Sequence, residues 1–379
     1  MKEGILIAFG ELFLKSERVR NIFLQKLVQN ISLSLKREKV KFRIFPSRER
    51  IFVETSETKK AEKIIKNVFG ISWFAHATFL EGELEDLLKF VEENYEKWIK
   101  KKQTFAIRLK KGNLKESSEE IIKKIANKIE RKVDLEKPNV ELFLEARQAG
   151  WFIYFKKKRG KGGLPVSTGG KALALISGGI DSPVASYLIA KRGSENVWLH
   201  FHSFPLVSNS SILKVKELAK LFLNFQPKLK IYFIPFHEIQ MKIKACVEPN
   251  YRILLYRRMM LRIAEKIAEK ENCEGIITGE SLAQVSSQTL RNMKIIEEVT
   301  KLPVLRPLVG LDKEEIIKLA KEIGTYEISI KPQEDCCTLF TPKHASAAGN
   351  LEVVKKFEKK LNIKEMIEKA LEDAEIEFY

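Results

Sequence analysis

The sequence predicts an α/β protein in which a doubly wound parallel sheet follows two small α+β modules. Three features predict it. From residue 171 onward, strand-like apolar runs alternate with amphipathic helices, the pattern of a parallel sheet with crossover helices. Before residue 160 the order is different: strand, helix, strand, strand, helix, and then helix, strand, helix, strand, strand. Between the two textures lies KRGKGGLPVSTGGK (158–171), Gly-rich and polar, the best boundary in the chain. At 379 residues the chain exceeds what one hydrophobic core usually supports.

Each element follows from local pattern. ILIAFG (4–9) reads as a short buried strand, and the apolar spacing of residues 10–36 is helical. KFRIFP and RIFVET (41–46 and 50–55) alternate as strands do, and TKKAEKIIKNVFG (58–70) is an amphipathic helix stopped by Gly70. This order is that of a ferredoxin-like unit. The first module is set at 1–57, with about 75 as its alternative limit, the second at 58–160, a linker at 161–170 and the parallel-sheet domain at 171–379. WFAHATFLEG (73–82) opens the second series, which ends in NVELFLEAR and WFIYFKKKR. In the last domain KALALIS, NVWLHFHSF, KIYFIPF and GIITGES are the strands, and the closing residues read as helix.

The formal charge is +18, and it is unevenly spread: residues 1–170 hold 37 basic and 23 acidic residues, the remainder 31 and 27. A basic front half favours a polyanionic partner, most often nucleic acid; a Lys/Glu-rich solvated surface is the competing explanation, and it does not account for the asymmetry. The absence of any run of about 18 apolar residues argues against a membrane span or membrane partner. No signal peptide is expected, and four cysteines without a C-x-x-C pair exclude a disulfide scaffold, so the expected setting is cytoplasmic with reduced thiols.

The strongest motif is Ser177-Gly178-Gly179-Ile180-Asp181-Ser182, between an apolar strand and a helix. Glycines let the backbone approach an anion, the next amides point at it, and the helix terminus adds its dipole. Pro183 suits the first helical turn. Asp181 beside phosphates implies Mg²⁺ between them, hence a nucleotide with metal and not a bare anion. Neither G-x-x-x-x-G-K-[ST] nor G-x-G-x-x-G is present. Thr278-Gly279-Glu280-Ser281 closes a later strand and leads to Gln284 and to Ser286-Ser287-Gln288-Thr289. A glycine there would let a nucleotide pack against the backbone. Arg257 and Arg258 lie on a long helix, where Arg257 could grip a phosphate bidentately or both could be solvated.

SGG-x-DS resembles the loop of the PP-loop ATP pyrophosphatases. Together with RILLYRRMM, TGESLAQVSSQT, LRPLVGLDKEEII and EDCCTLFTPK, in that order, it resembles the tRNA 4-thiouridine synthetases, the tRNA sulfurtransferases of the ThiI family. In the front half, PNVELFLEAR through RGKGGLPVSTGGK is similar to the end of a THUMP domain, an RNA-binding module. The resemblance implies adenylation of O4 of uridine 8 in tRNA, with ATP and Mg²⁺, followed by displacement of AMP by a cysteine-borne sulfur. It implies ATP contacts at Leu175, Ile176, Ser177, Gly178, Gly179, Asp181, Ser182, His200, Phe201, Arg257, Gly279 and Gln288, with magnesium held through ATP and no dedicated protein site. It implies catalytic roles for Asp181, Lys313 and Cys336. Asp312 and Glu315 also make a helix-capping pattern around Lys313.

Sulfur attack on an adenylated carbon needs a thiolate or persulfide. Cys336 and Cys337 lie in a Pro-flanked loop; Asp335 disfavours a thiolate, an effect Lys331 or Lys343 would offset. Cys246 and Cys273 read as small buried apolar residues. Many relatives carry a C-terminal rhodanese domain; about 40 residues follow the cysteine loop here, too few for one. The sulfur is then expected on Cys336, loaded by a cysteine desulfurase or other donor and resolved by Cys337 or another thiol. An iron–sulfur cluster has only the adjacent pair and two distant cysteines to draw on. The family also donates sulfur to a thiamine-pathway carrier protein, on which this sequence is silent.

For tRNA, recognition by shape and phosphates is expected, through Lys100, Lys101, Lys102, Arg108, Lys110, Lys111, Lys156, Lys157, Lys158, Arg159 and Lys161. A homodimer bridged by RNA is compatible with this organisation. Two other readings compete: an amide-forming PP-loop synthetase, which leaves the basic front half unexplained, and an RNA-binding protein with a degenerate ATP site, which the intact SGG-x-DS opposes.

Overall fold

The computed structural model describes residues 1–10, 16–332, 340 and 346–379. The chain divides into two compact units, Met1–Gly163 and Leu164–Tyr379.

The first unit contains β1 (Lys2–Phe9), α1 (Glu17–Arg37), β2 (Arg43–Pro46), β3 (Ile51–Glu54), α2 (Thr58–Ile65), β4 (Ile71–Glu81), α3 (Leu84–Trp98), β5 (Phe105–Lys110), α4 (Ser118–Ala126), β6 (Val140–Arg147), β7 (Gly150–Tyr154) and β8 (Lys158–Arg159). Its strands form one sheet in the order β2-β3-β1-β4-β7-β6-β5, with β8 also on β4. Only β5 and β6 run parallel. The two α+β modules are present, and β4 belongs to the sheet of both. Residues Ile71 to Phe79 pair with β1, while Ala77 to Glu81 pair with β7.

Local sequence accounts for the helices. Leu84, Leu87, Val91 and Tyr95 make one buried stripe along α3, and Ile121 and Ile125 do so on α4. Both helices start with capping boxes, Glu83 with Asp86 and Ser117 with Glu120. α2 stops at Ile65, and the chain turns through Gly70, whose φ of 96° favours glycine. An aromatic cluster covers another part of the sheet: Phe52, Phe152 and Tyr154, flanked by Trp73, Phe79 and Phe143. Across it the β2–β3 hairpin reaches β6, where Arg50 meets Glu145 at 2.9 Å. Glu145 also accepts from Arg147 and the Tyr154 hydroxyl.

The second unit contains β9 (Lys171–Leu175), α5 (Asp181–Lys191), β10 (Glu195–His202), α6 (Ser210–Phe222), β11 (Lys230–Pro235), α7 (His237–Cys246), α8 (Arg252–Glu271), β12 (Gly275–Ile277), α9 (Leu290–Glu297), β13 (Val304–Leu305), α10 (Lys313–Ile323), α11 (Tyr326–Ser329), α12 (Leu351–Glu358), α13 (Ile363–Glu372) and β14 (Glu375–Phe378). The sheet order is β13-β12-β9-β10-β11-β14. All pairings are parallel except that of β14 with β11. Strand β14 corrects the expectation of a helical end: the four residues bond to the edge that β11 would otherwise leave open.

Strand order runs outward from β9 in both directions, so the switch point lies beside β9, where open α/β sheets hold ligands. Helix α8 is buried along most of its length, packing Leu255, Met259, Ile263 and Ile267 into the core. Arg258, 1% exposed, donates to Glu358 at 2.8 and 2.9 Å, to Glu298 at 2.9 Å and to the Ile295 carbonyl, tying α8 to α12 and to the end of α9. A solvated arginine pair is therefore excluded: Arg258 is structural.

Candidate active site

A cavity of about 410 Å³ opens at the carboxyl ends of β9, β10 and β12. Ten of the residues expected to contact ATP wall it: Leu175, Ile176, Ser177, Asp181, Ser182, His200, Phe201, Arg257, Gly279 and Gln288. Gly178 and Gly179 belong to the same loop but not to the wall. The loop is shaped by its own hydroxyls. Ser182 Oγ accepts from the Ser177 amide at 3.0 Å, and Ser177 Oγ accepts from the Gly179 amide at 3.3 Å. Gly178 turns the chain at a φ of 80°.

Gly279 lines the cavity as expected, and a second constraint also calls for glycine there. A Cβ there would stand 2.8 Å from the Cα and N of Ser182 and 3.0 Å from the carbonyl carbon of Asp181. The residue lets the backbone of the serine-glycine loop come close to the end of β12.

Asp181 begins α5 and is partly open. Its Oδ1 receives the Lys313 ammonium at 2.6 Å, while among the described residues Oδ2 has only Gln284 at 3.5 Å. Lys313 starts α10, whose capping box of Asp312 and Glu315 is present as well. The cap and the ion pair coexist: the cap directs the helix start, and the side chain reaches the loop.

His200 is a wall residue held from behind. Its Nδ1 lies 2.7 Å from the Ile176 carbonyl and its Nε2 3.2 Å from Ser211 Oγ. A carbonyl only accepts, so Nδ1 carries the proton and Nε2 accepts from the hydroxyl. Burial pushes the ring down to about 4, and that of His202 to about 4 as well, so both are neutral near pH 7. Sequence reasoning did not single out Ser211.

It also did not single out Arg306, nor Glu280 beyond naming the TGES segment. Glu280 Oε1 accepts from Arg257 Nη1 at 2.6 Å, and Oε2 accepts from Arg306 Nε at 2.7 Å and Thr278 Oγ1 at 3.0 Å. All four residues wall the cavity. An arginine directly after a short parallel strand was the available signal, since ligands sit at such ends.

Cys336 and Cys337 lie outside the described residues, as do Asp335 and Lys343. Lys331 is described, and its ammonium pairs with Glu217 at 2.5 Å. Cys273 is buried, its thiol pushed up to about 11 by burial; Cys246 is exposed, against expectation, because it ends α7.

The basic residues of the first unit separate into two groups. Arg108 pairs with Glu141, Lys110 with Glu49 and Lys158 with Glu62. Lys111 donates to the carbonyls of Leu114 and Glu116, and Lys157 lies over the rings of Phe143, Trp73 and Tyr154 at 4.2, 5.0 and 5.8 Å. Lys100, Lys101, Lys102, Lys156 and Arg159 are exposed and make no ion pair among the described residues; Lys161 is half-buried. The expected patch is thus partly occupied by intramolecular contacts.

A serine-glycine loop at the switch point of a parallel sheet, with arginines facing the same cavity, defines a nucleotide-using α/β domain of the PP-loop class. The family model described as "Thiamine biosynthesis protein (ThiI)" matches residues 167–363, the ThiI ferredoxin-like domain 4–75 and the THUMP domain 81–156. The chain is 38% identical to a probable tRNA sulfurtransferase of Acetivibrio thermocellus, over 99% of this chain and 98% of that one. It is 38% identical to one of Bacillus licheniformis, over 99% and 95%. It is also similar to a crystal structure of a 4-thiouridine synthetase–RNA complex with bound ATP, with a TM-score of 0.90 and 33% identity over the whole of both chains. The chain belongs to the ThiI family of tRNA sulfurtransferases.

Proposed function

We propose that this chain converts uridine 8 of tRNA to 4-thiouridine in two steps at the cavity beside β9. In the first, O4 attacks the α-phosphorus of ATP, the bond to the β-phosphate breaks, and pyrophosphate leaves. In the second, a sulfur attacks C4, the C4–O4 bond breaks, and AMP carries O4 away. The observation that carries the reading is the meeting of Asp181 with Lys313 at the mouth of a cavity that Ser177, Ser182 and Arg257 also wall. The relative solved with RNA and ATP supports both substrates.

The residues divide the work. Loop amides and the Ser177 and Ser182 hydroxyls hold the polyphosphate, and Arg257 adds a positive charge. Leu175, Phe201 and the neutral His200 face the base. Asp181 fits a Mg²⁺ carried by ATP, because among the described residues Oδ2 has only one long contact; bound there, the ion would offset phosphate charge. Lys313, paired with Asp181 in the free chain, turns its ammonium to the charge that develops at the α-phosphate. The sulfur is the terminal atom of a persulfide on Cys336, loaded by a cysteine desulfurase or another donor. After it bonds to C4, Cys337 or another thiol attacks Cys336 Sγ, which frees 4-thiouridine and leaves a disulfide for a cellular dithiol to reduce. The same persulfide would serve a thiamine-pathway carrier protein, in keeping with the family description. Exposed Lys100, Lys101, Lys102, Lys156 and Arg159 supply phosphate contacts to tRNA, and the setting is the cytoplasm.

The test incubates the protein with ATP, Mg²⁺, unmodified tRNA and a persulfide donor, a cysteine desulfurase with cysteine, and follows thiouridine absorbance in the recovered tRNA. Wild type should thiolate, and Cys336→Ala and Asp181→Ala should not. Pyrophosphate release that depends on tRNA should survive in Cys336→Ala alone. If wild type forms neither AMP nor thiouridine, the assignment is wrong.

A further inference from the structure

We infer that Glu280 is a positioning residue of the nucleotide site, acting through Arg257. The inference rests on the proposed reading of Arg257 as an ATP contact. Glu280 follows β12 and is 4% exposed. Its carboxylate accepts three hydrogen bonds from three parts of the chain: Arg257 of α8, Arg306 just after β13, and Thr278 at the end of β12. A buried carboxylate persists only when such partners repay its lost hydration. Two guanidiniums share this carboxylate and Glu297 balances the second of them, so the cluster holds its charges in pairs while the Arg257 guanidinium stands at the wall of the cavity.

The two arginines depend on Glu280 unequally. Arg306 has a second anchor, Glu297 at 2.7 Å. Arg257 has Glu280 as its only side-chain partner among the described residues, and its Nε has none. Its long side chain therefore takes its direction from this one carboxylate. Without Glu280 two guanidiniums would also face each other across an uncompensated space. Position is shared with the phosphate loop: the neighbouring Gly279 lies against the backbone of Asp181 and Ser182, so Glu280 is fixed relative to that loop by one residue of chain. The segment TGE thus sets the loop and the arginine in one frame.

The experiment is a double-mutant cycle on tRNA-dependent pyrophosphate release, using the full chain with ATP, Mg²⁺, unmodified tRNA and the same persulfide donor. Glu280→Gln keeps the shape and one acceptor but removes the charge. It should raise the KM for ATP about tenfold and leave kcat within about twofold, as expected when binding common to ground and transition state is lost. In an Arg257→Met background the same change should add less than about twofold, since its route is already gone. Should Glu280→Gln melt below the assay temperature, Glu280→Asp replaces it; it keeps the charge, withdraws the carboxylate by one methylene, and should raise KM in the same coupled way. A purely structural role would lower the melting temperature and act equally in both backgrounds. An unchanged KM, or an equal rise with and without Arg257, overturns the inference while wild-type activity stands. Wild type that releases no pyrophosphate overturns the functional reading itself, and this inference with it.

Discussion

Gly279→Ala changes one hydrogen for one methyl and should disable the site. The added Cβ would stand 2.8 Å from Ser182 Cα and N, and 3.0 Å from the Asp181 carbonyl carbon. All three are backbone atoms, so no side chain can swing aside. Relief requires the loop and the end of β12 to part by roughly 0.6 Å, to regain ordinary carbon contact. Overpacking of this kind costs about 1–3 kcal/mol. For a unit of this size, that lowers Tm by about 2–12 °C. The effect on chemistry should be larger than on folding, because the moved atoms are those of the phosphate loop; a displacement near 1 Å costs on the order of 100-fold. A thermal melt and AMP release assayed side by side measure both. Gly310→Ala is the control: nothing lies within 4 Å of a Cβ there. It should melt within about 1 °C of wild type and keep full activity. Gly279→Ala with wild-type melting and turnover would refute the contact as the reason for glycine at that position.

Two further predictions concern charge. Burial holds the folded pKa values of His200 and His202 at about 4, below the ordinary 6.5 of an imidazole. A depressed value means that the unfolded chain binds more protons between pH 6.5 and 4, so stability is full above that window and falls as pH drops through it, by up to ~3 kcal/mol per histidine. Urea midpoints of the C-terminal unit should fall between pH 6.5 and 4.5, and a flat profile would contradict the burial argument. In tRNA binding, Lys101→Ala should lower affinity and flatten the salt slope by about one contact, whereas Lys110→Ala, whose ammonium already pairs with Glu49 at 2.5 Å, should change the slope less. Filter binding at two salt concentrations separates them, and equal losses would show that the internal pair does not compete with phosphate.

Much of the fold was legible because its signals are local. Alternation of strand and helix predicts β9 through β12, and the capping pairs mark α4 and α10 where they occur. The misses are non-local. That β4 takes β1 along one stretch and β7 along another is a matter of neighbours, and WFAHATFLEG reads the same with or without them. Strand β14 is four residues that follow a helical pattern, and its partner is about 145 residues earlier in the chain. Adjacent arginines on α8 point about 100° apart, which sends Arg257 to the cavity and Arg258 into the core; composition treats them alike.

The candidate site divides along the same line. Ser177, Gly178 and Asp181 were legible because residue type itself carries the chemistry, a hydroxyl, a bare backbone and a carboxylate at a strand–helix junction. Glu280 was in view within TGES, yet nothing in a glutamate announces that two arginines 23 positions before and 26 after it converge on its oxygens. The charge of the front half misleads in a related way. A net excess counts Arg108, Lys110 and Lys158 in full, although each is paired within the chain, and counts Lys101 no more heavily. Groups that act by their own chemistry can be read from order along the chain; groups that act by holding others become visible only when the fold brings their partners together. The glutamate beside Gly279 is of the second kind, which is why its test is a coupling to Arg257 and not the loss on its own removal.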